Sequence, residues 1–313
     1  MPERSSTAVA ADVVLTRAFE APRTLVWQVW TDPAHLGEWW GPHTFSNPRV
    51  EIDLRPGGTL RVDMRGPNGV NAMTGQVREV LAPERFVFTS RLESGGRVYV
   101  EILNTVTFTE QRGVTTVTLV AQILQAAPEA AADLGGMREG WRQSFERLES
   151  AVATTASDLE MIVSRVLNAP RELVFDAWTD PAHLGEWWGP TGFTTTTQRM
   201  DLRPGGEWIH VMHGPDGTDY PNYTVFIEVD RPARLVYTNS DGDSASAPVI
   251  FEATVTFDAH DGRTRVTMRA RFPSAAEKAR VMRDYGAYEG AHQTLDRLAR
   301  HLLTRAAGAR NVE

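Results

Sequence analysis

The twelve residues Thr31–Pro42 read TDPAHLGEWWGP, and the same string returns unchanged at Thr179–Pro190, an offset of 148. Pro56-Gly57-Gly58 returns as Pro204-Gly205-Gly206, and Gly66-Pro67-Asn68-Gly69 as Gly214-Pro215-Asp216-Gly217. In a chain of 313 residues this repeat means one domain built twice and joined in tandem. The spacing puts the first domain at 1–153 and the second at 158–313, with Thr154-Thr155-Ala156-Ser157 as linker. Function is therefore a property of one unit of about 150 residues, and then of what a second copy adds.

A unit of that size buries a core without help from metal or disulfides. The chain has no cysteine, which excludes disulfides, thiolate nucleophiles and zinc–thiolate sites and suits a reducing, cytoplasmic setting. The start, MPERSSTAVAADVV, holds no apolar run of the length a signal peptide or membrane span needs. Net charge is −8 with acids and bases interspersed, so no basic patch argues for nucleic acid. Tryptophan is unusually frequent, and seven of the nine (Trp27, Trp30, Trp39, Trp40, Trp178, Trp187, Trp188) sit near the start of a unit.

Each unit opens with a strand, Val13 to Phe19 and Met161 to Leu167. Ala-Pro-Arg then starts a helix, since proline fits the first turn. Leu25, Val26, Val29 and Trp30 give it an apolar stripe, repeated by Leu173, Val174, Ala177 and Trp178. Thr-Asp-Pro ends that helix and begins a short one carrying His-Leu-Gly-Glu-Trp-Trp. Alternation of period two through Val50–Leu54 and Leu60–Met64, with turns at Pro-Gly-Gly and Gly-Pro-Asn-Gly, predicts hairpins. Further strands follow to Ile123. A long helix closes each unit, with Met137, Trp141, Phe145, Leu148 and Val152 on one face and Ala287, Ala291, Leu295, Leu298 and Leu302 in the second copy.

The order is that of a helix-grip domain, and the residues are more specific still. APRELVFDAWTDPAHLGEWWGP, DLRPGGEW, MHGPDGTDYPN and EVDRPARLVYT resemble the bacterial family named after the activator of heat-shock-protein-90 ATPase, within the START-like (SRPBCC) superfamily. Both units match over nearly their whole length. The second is the fuller copy, because the first has RGPNGVNAMTG where the pattern has MHGPDGTDYPN. The resemblance implies an α+β fold of two tandem helix-grip (START-like) domains, each a curved antiparallel sheet wrapped around a long terminal helix. It also implies a cavity between sheet and helix, which relatives use for apolar molecules and some for cyclisation or dehydration. Fold alone does not assign an activity.

Several positions are candidates for contact with a ligand, each with a plainer role beside it. The pairs Trp39–Trp40 and Trp187–Trp188 form an aromatic wall or anchor the short helix; adjacent helical residues point about 100° apart, so one of each pair can do each. Phe193 joins the second wall. Leu60, Val62 and Met64 become Trp208, His210 and Met212 on one strand face. A histidine there is an acid–base candidate or a buried hydrogen-bonding residue. His213 faces the other side of that strand, so the two histidines do not share a metal, and no metal or cofactor is expected. Trp141 in one terminal helix becomes Ala291 in the other, which reshapes the second pocket. Tyr285, Tyr288 and His292 supply polar contacts or pack at its rim. Glu79 and Glu228 are a buried acid or part of an exposed sheet face; Glu228 stands with His210 as the catalytic candidate.

Three functions compete. The first is non-catalytic transport, sequestration or sensing of an apolar or aromatic small molecule. The second is a cyclase, dehydratase or hydrolase using the same cavity. The third is a chaperone-ATPase-activator-like interaction module; the namesake's activity also uses a separate N-terminal domain, and the repeat already accounts for both halves here. The tandem is expected to act as an internal pseudo-dimer in a monomeric chain, with the second unit holding the more functional pocket.

Overall fold

The computed structural model describes residues 12–310 apart from 68, 95 and 243. Residues 1–11 and 311–313, at the outer ends of the two expected domains, and Asn68 of the first Gly-Pro-Asn-Gly turn lie outside the described residues. The chain divides into two compact units between Ala156 and Ser157.

The first unit runs β1 (Val13–Phe19), α1 (Arg23–Thr31), α2 (Pro33–Trp39), β2 (Ser46–Ile52), β3 (Thr59–Gly66), β4 (Gly69–Leu81), β5 (Arg85–Ser94), β6 (Arg97–Gln111), β7 (Val114–Ala126) and α3 (Ala131–Thr155). The second runs β8 (Glu160–Leu167), α4 (Arg171–Thr179), α5 (Pro181–Trp187), β9 (Thr194–Met200), β10 (Glu207–His213), β11 (Asp219–Asp230), β12 (Arg234–Asp241), β13 (Val249–His260), β14 (Arg263–Arg271), α6 (Ala275–Asp284) and α7 (Ala287–Arg310). Each unit forms one seven-stranded antiparallel sheet, in the orders β1-β7-β6-β5-β4-β3-β2 and β8-β14-β13-β12-β11-β10-β9. These are two helix-grip domains. The inner faces follow the period-two pattern: Leu60 and Val62 are buried, while Arg61 and Asp63 between them form an ion pair on the other side.

The repeated string explains itself residue by residue. The hydroxyls of Thr31 and Thr179 donate to the carbonyls of Trp27 and Phe175, each at 2.8 Å, at the ends of α1 and α4. Asp32 and Asp180 cap the next helices, their Oδ1 atoms accepting from Ala34 N at 2.9 Å and Ala182 N at 2.8 Å. Pro33 and Pro181 occupy the first turn, where no N–H is missed. Leu36 and Leu184 are buried, and the indole N–H groups of Trp39 and Trp187 donate to Val29 O at 3.0 Å and Ala177 O at 2.9 Å.

Two local expectations change. The segment expected to be a linker is largely the last turn of α3, because the Thr155 hydroxyl bonds back to Ala151 O at 2.8 Å and the helix continues through it. The second terminal helix, α7, carries its whole expected face from Ala287 to Leu302, and a helix that the sequence reading did not include precedes it. α3 is continuous over 25 residues, whereas α6 stops at Asp284 and α7 starts at Ala287. Gly286 between them has φ +57°, a left-handed conformation that ends a helix.

Candidate ligand cavity in the second domain

The second domain holds a half-open cavity of about 250 Å³ between sheet and terminal helix. Ala287, Gly290, Ala291 and Thr294 of α7 form one side, and Val281 and Tyr285 close it from α6 and the break. Strand register divides the opposite wall. His210 pairs with Asn222, and Thr224 with Asn239, across β10, β11 and β12. Tyr237 lies two residues before Asn239 on the same face of β12. Ala253 of β13, Met268 and Ala270 of β14 and Met161 of β8 supply an apolar half.

An arginine on each terminal helix holds the tryptophan-bearing loop in place. One guanidinium nitrogen of Arg297 donates to the carbonyls of Gly189, Pro190 and Phe193 at 3.0, 2.9 and 2.8 Å, and the other reaches Glu186 O at 3.1 Å. Arg147 does the same in the first domain, to Pro42 O at 3.0 Å, Phe45 O at 2.8 Å and Glu38 O at 2.7 Å. Burial lowers the Arg297 pKa from its ordinary value, chiefly through lost hydration. Neither arginine is singled out by the sequence, where each looks like one more cation on an amphipathic helix.

With that loop fixed, the two copies diverge. Trp40 is 6% exposed and has the indole of Trp141 against it, ring centroids 5.1 Å apart. Trp188 is only partly buried and lines the cavity, with Ala291 at the position of Trp141. Val62, Met73, Gly75, Phe88 and Ser90 of the first domain align with His210, Asn222, Thr224, Tyr237 and Asn239. All five replacements line the second cavity.

Of the candidates read from the sequence, Trp188, His210, Met212 and Tyr285 line this cavity. Trp39 and Trp187 are fully buried and hydrogen-bonded to backbone, so they anchor the short helices. Trp208 stacks on His210 at 3.7 Å and gives its indole N–H to Thr197 at 3.0 Å, standing behind the wall. Phe193 packs on Tyr220 at 5.8 Å, just outside the lining. Tyr288 and His292 pack on each other at 4.7 Å, buried on α7 but outside the cavity lining, which departs from the expected ligand contact. Met64 and Trp141 belong to the first domain's packing. The sequence reading missed Asn222, Thr224, Tyr237 and Asn239; their only signal is that each replaces a less polar or smaller residue of the aligned copy.

The acid–base pair is not assembled. The Glu228 side chain is 44% exposed, 3.5 Å from Arg234, and away from the cavity; Glu79 pairs with Arg85 in the same way at 3.2 Å. A bulge between Phe226 and Glu228 turns this stretch of β11 outward. His210 is 2% exposed, and its Nδ1 is buried without a hydrogen-bond partner among the described residues. Burial pushes its pKa down to about 3, with a backbone contact from Trp208 opposing, so the ring is neutral at physiological pH. His213 lies on the outer face, bonded to Asp219 at 2.6 Å and Thr196 at 3.0 Å. Among the described residues no group of three or more histidines or carboxylates is placed to hold a metal ion.

The sequence matches the family described as "Activator of Hsp90 ATPase homolog 1-like protein" over residues 20–153 and again over 168–302. The chain belongs to that family, once in each half. Solved structures similar to this tandem activator-homolog chain include a protein from Nitrosomonas europaea (28% identity, 48% of this chain and 98% of that one, TM-score 0.43). A Mycobacterium smegmatis protein matches at 30% identity over 45% of this chain and 89% of its own, TM-score 0.42. The di-domain ARO/CYC BexL from the BE-7585A biosynthetic pathway aligns with 93% of this chain and 98% of its own at 16% identity, TM-score 0.42. No curated protein matches the chain. Among the described residues no helix of this activator-homolog tandem is long and apolar enough to cross a membrane.

Proposed function

We propose that the second domain binds a small apolar or aromatic molecule in its cavity, for transport, sequestration or sensing, without chemical conversion. The observation that carries this is the exchange of Trp141 for Ala291, which leaves the partly buried indole of Trp188 facing a space of about 250 Å³. That volume lies below the roughly 300–1,000 Å³ of drug-sized pockets, so the ligand is small. Mostly apolar walls with a few polar groups are the usual make-up of such sites. The outward position of Glu228 and the buried, neutral imidazole of His210 argue against acid–base chemistry. The test is native mass spectrometry of the purified chain alongside Ala291→Trp. A co-purifying small mass carried by the wild type and absent from the variant supports the reading. Equal retention by both places any ligand elsewhere and removes it.

A further inference from the structure

We infer that this cavity selects a ring compound bearing one hydroxyl and no negative charge, with the hydroxyl on Tyr237 and Asn239 and the ring against Trp188, Met268 and Ala291. The inference rests on the reading of the cavity as a ligand site and adds the chemistry of what enters it.

The Tyr237 side chain is buried in the lining, and its hydroxyl has no hydrogen-bond partner among the described residues. Asn239, two positions on and facing the same way, spends its amide N–H groups on Asn222 Oδ1 at 3.2 Å and Thr224 Oγ1 at 3.3 Å. Its Oδ1 accepts nothing among the described residues. A donor and an acceptor thus share one face of β12 two residues apart, the complement of a hydroxyl, which both accepts and donates.

The first domain is the internal control. Phe88 and Ser90 stand at these positions, so the fold does not require the polar pair. A hydroxyl that faces the pocket without a protein partner is available to a ligand hydroxyl. Negative charge is disfavoured for a separate reason. The polar groups of the β10–β12 wall are amides, hydroxyls, an imidazole and, at the end of β12, the carboxylate of Asp241, which repels an anion. Burial raises the Tyr237 pKa and lowers that of His210, so both stay neutral. The cation at the lining, Arg269, is already paired with Glu160. A carboxylate would enter this wall without a counter-charge.

The experiment is a calorimetric titration at pH 7 with naphthalene, 2-naphthol and 2-naphthoate, on the full chain and on Tyr237→Phe and Ala291→Trp. Tyr237→Phe restores the residue that the first domain already folds with. The expected result is 2-naphthol bound about tenfold more tightly than naphthalene, the size of one good buried hydrogen bond, with 2-naphthoate weakest. In Tyr237→Phe the naphthol-to-naphthalene ratio falls to near one. Equal binding of naphthol and naphthalene by the wild type, or naphthoate binding tightest, overturns the selectivity while leaving the cavity reading intact if Ala291→Trp abolishes binding. Absence of binding by all three probes overturns the cavity reading and this inference with it.

Discussion

The indole of Trp141 stands edge-on to that of Trp40, centroids 5.1 Å apart at 73°, while the helix position facing Trp188 offers the methyl of Ala291. The same helix position thus carries an indole against a tryptophan in one domain and a methyl beside an open pocket in the other. Trp141→Ala is expected to destabilise the first domain by about 3 kcal/mol, at the low end for a tryptophan because the ring is only partly buried. Ala291→Trp enters space that is already empty and is expected to shift stability by less than about 1.5 kcal/mol either way. Urea unfolding of each variant measures both numbers.

The arginine cradles make a second prediction. Arg147 is 1% exposed, and its two terminal nitrogens reach the carbonyls of Glu38, Pro42 and Phe45. A lysine carries the charge but cannot span these acceptors as a planar fork does. Arg147→Lys is expected to cost about 3–6 kcal/mol, since hydrogen bonds to a charged donor contribute about 1.5–3 kcal/mol each and one of the three survives. A lowered urea midpoint with an unchanged slope is the readout.

Acid should unfold the second domain partly through His210. Its folded pKa, about 3, lies below the ordinary 6.5, so the unfolded chain binds the proton more tightly. The stabilisation is fully present above pH 6.5 and is lost as pH falls from there towards 3, at up to about 1.4 kcal/mol per pH unit. The window from pH 6.5 to 4.5 separates this effect from Glu139 of the first domain, whose pKa is held down to about 2 by its hydrogen bonds to Arg142, opposed by burial. Stability measured against pH should be less steep in that window in His210→Phe, with a slope remaining from His301, whose pKa burial also lowers. An unchanged slope would show that the ring is protonated in the folded state.

Position 206 in the second Pro-Gly-Gly turn should tolerate no side chain. A Cβ on Gly206 would lie 2.1 Å from the carbonyl oxygen of Asp201, which is backbone and cannot swing away. Gly205 meets nothing within 4 Å and has only its φ of +78° against a side chain. Gly205→Ala should therefore cost about 1–2 kcal/mol and Gly206→Ala clearly more. Thermal midpoints of the two variants give the order.

Much of this architecture is legible in the sequence because period and punctuation are local. The alternation of Leu60, Val62 and Met64, the Asp-Pro helix starts and the spacing of Leu295, Leu298 and Leu302 each report their own environment. What escapes is long-range. Arg297 acts on carbonyls about 105 residues earlier, and no local pattern records that. Helix α6 is polar around most of its surface, with Val281 its one buried residue, so periodicity gave it no stripe. Tyr237 and Asn239 become meaningful only when the sheet curves them into one wall with Asn222 and when the first domain supplies Phe88 and Ser90 for comparison. Glu228 looks like an acid candidate in the sequence, and a bulge in β11 decides which way it faces.

The central claim is that a ligand occupies the space beneath Trp188. Met161, Met212 and Met268 all line it, whereas Met64, Met73 and Met137 belong to the first domain. Titrating 2-naphthol into the chain labelled with ¹³C at the methionine methyl groups, followed by NMR, reads the location directly. The account predicts saturable shifts of the three cavity methyls and none of Met64, Met73 or Met137. Shifts confined to methionines outside the cavity, or no shift at Met161, Met212 and Met268 at saturating probe, would contradict it.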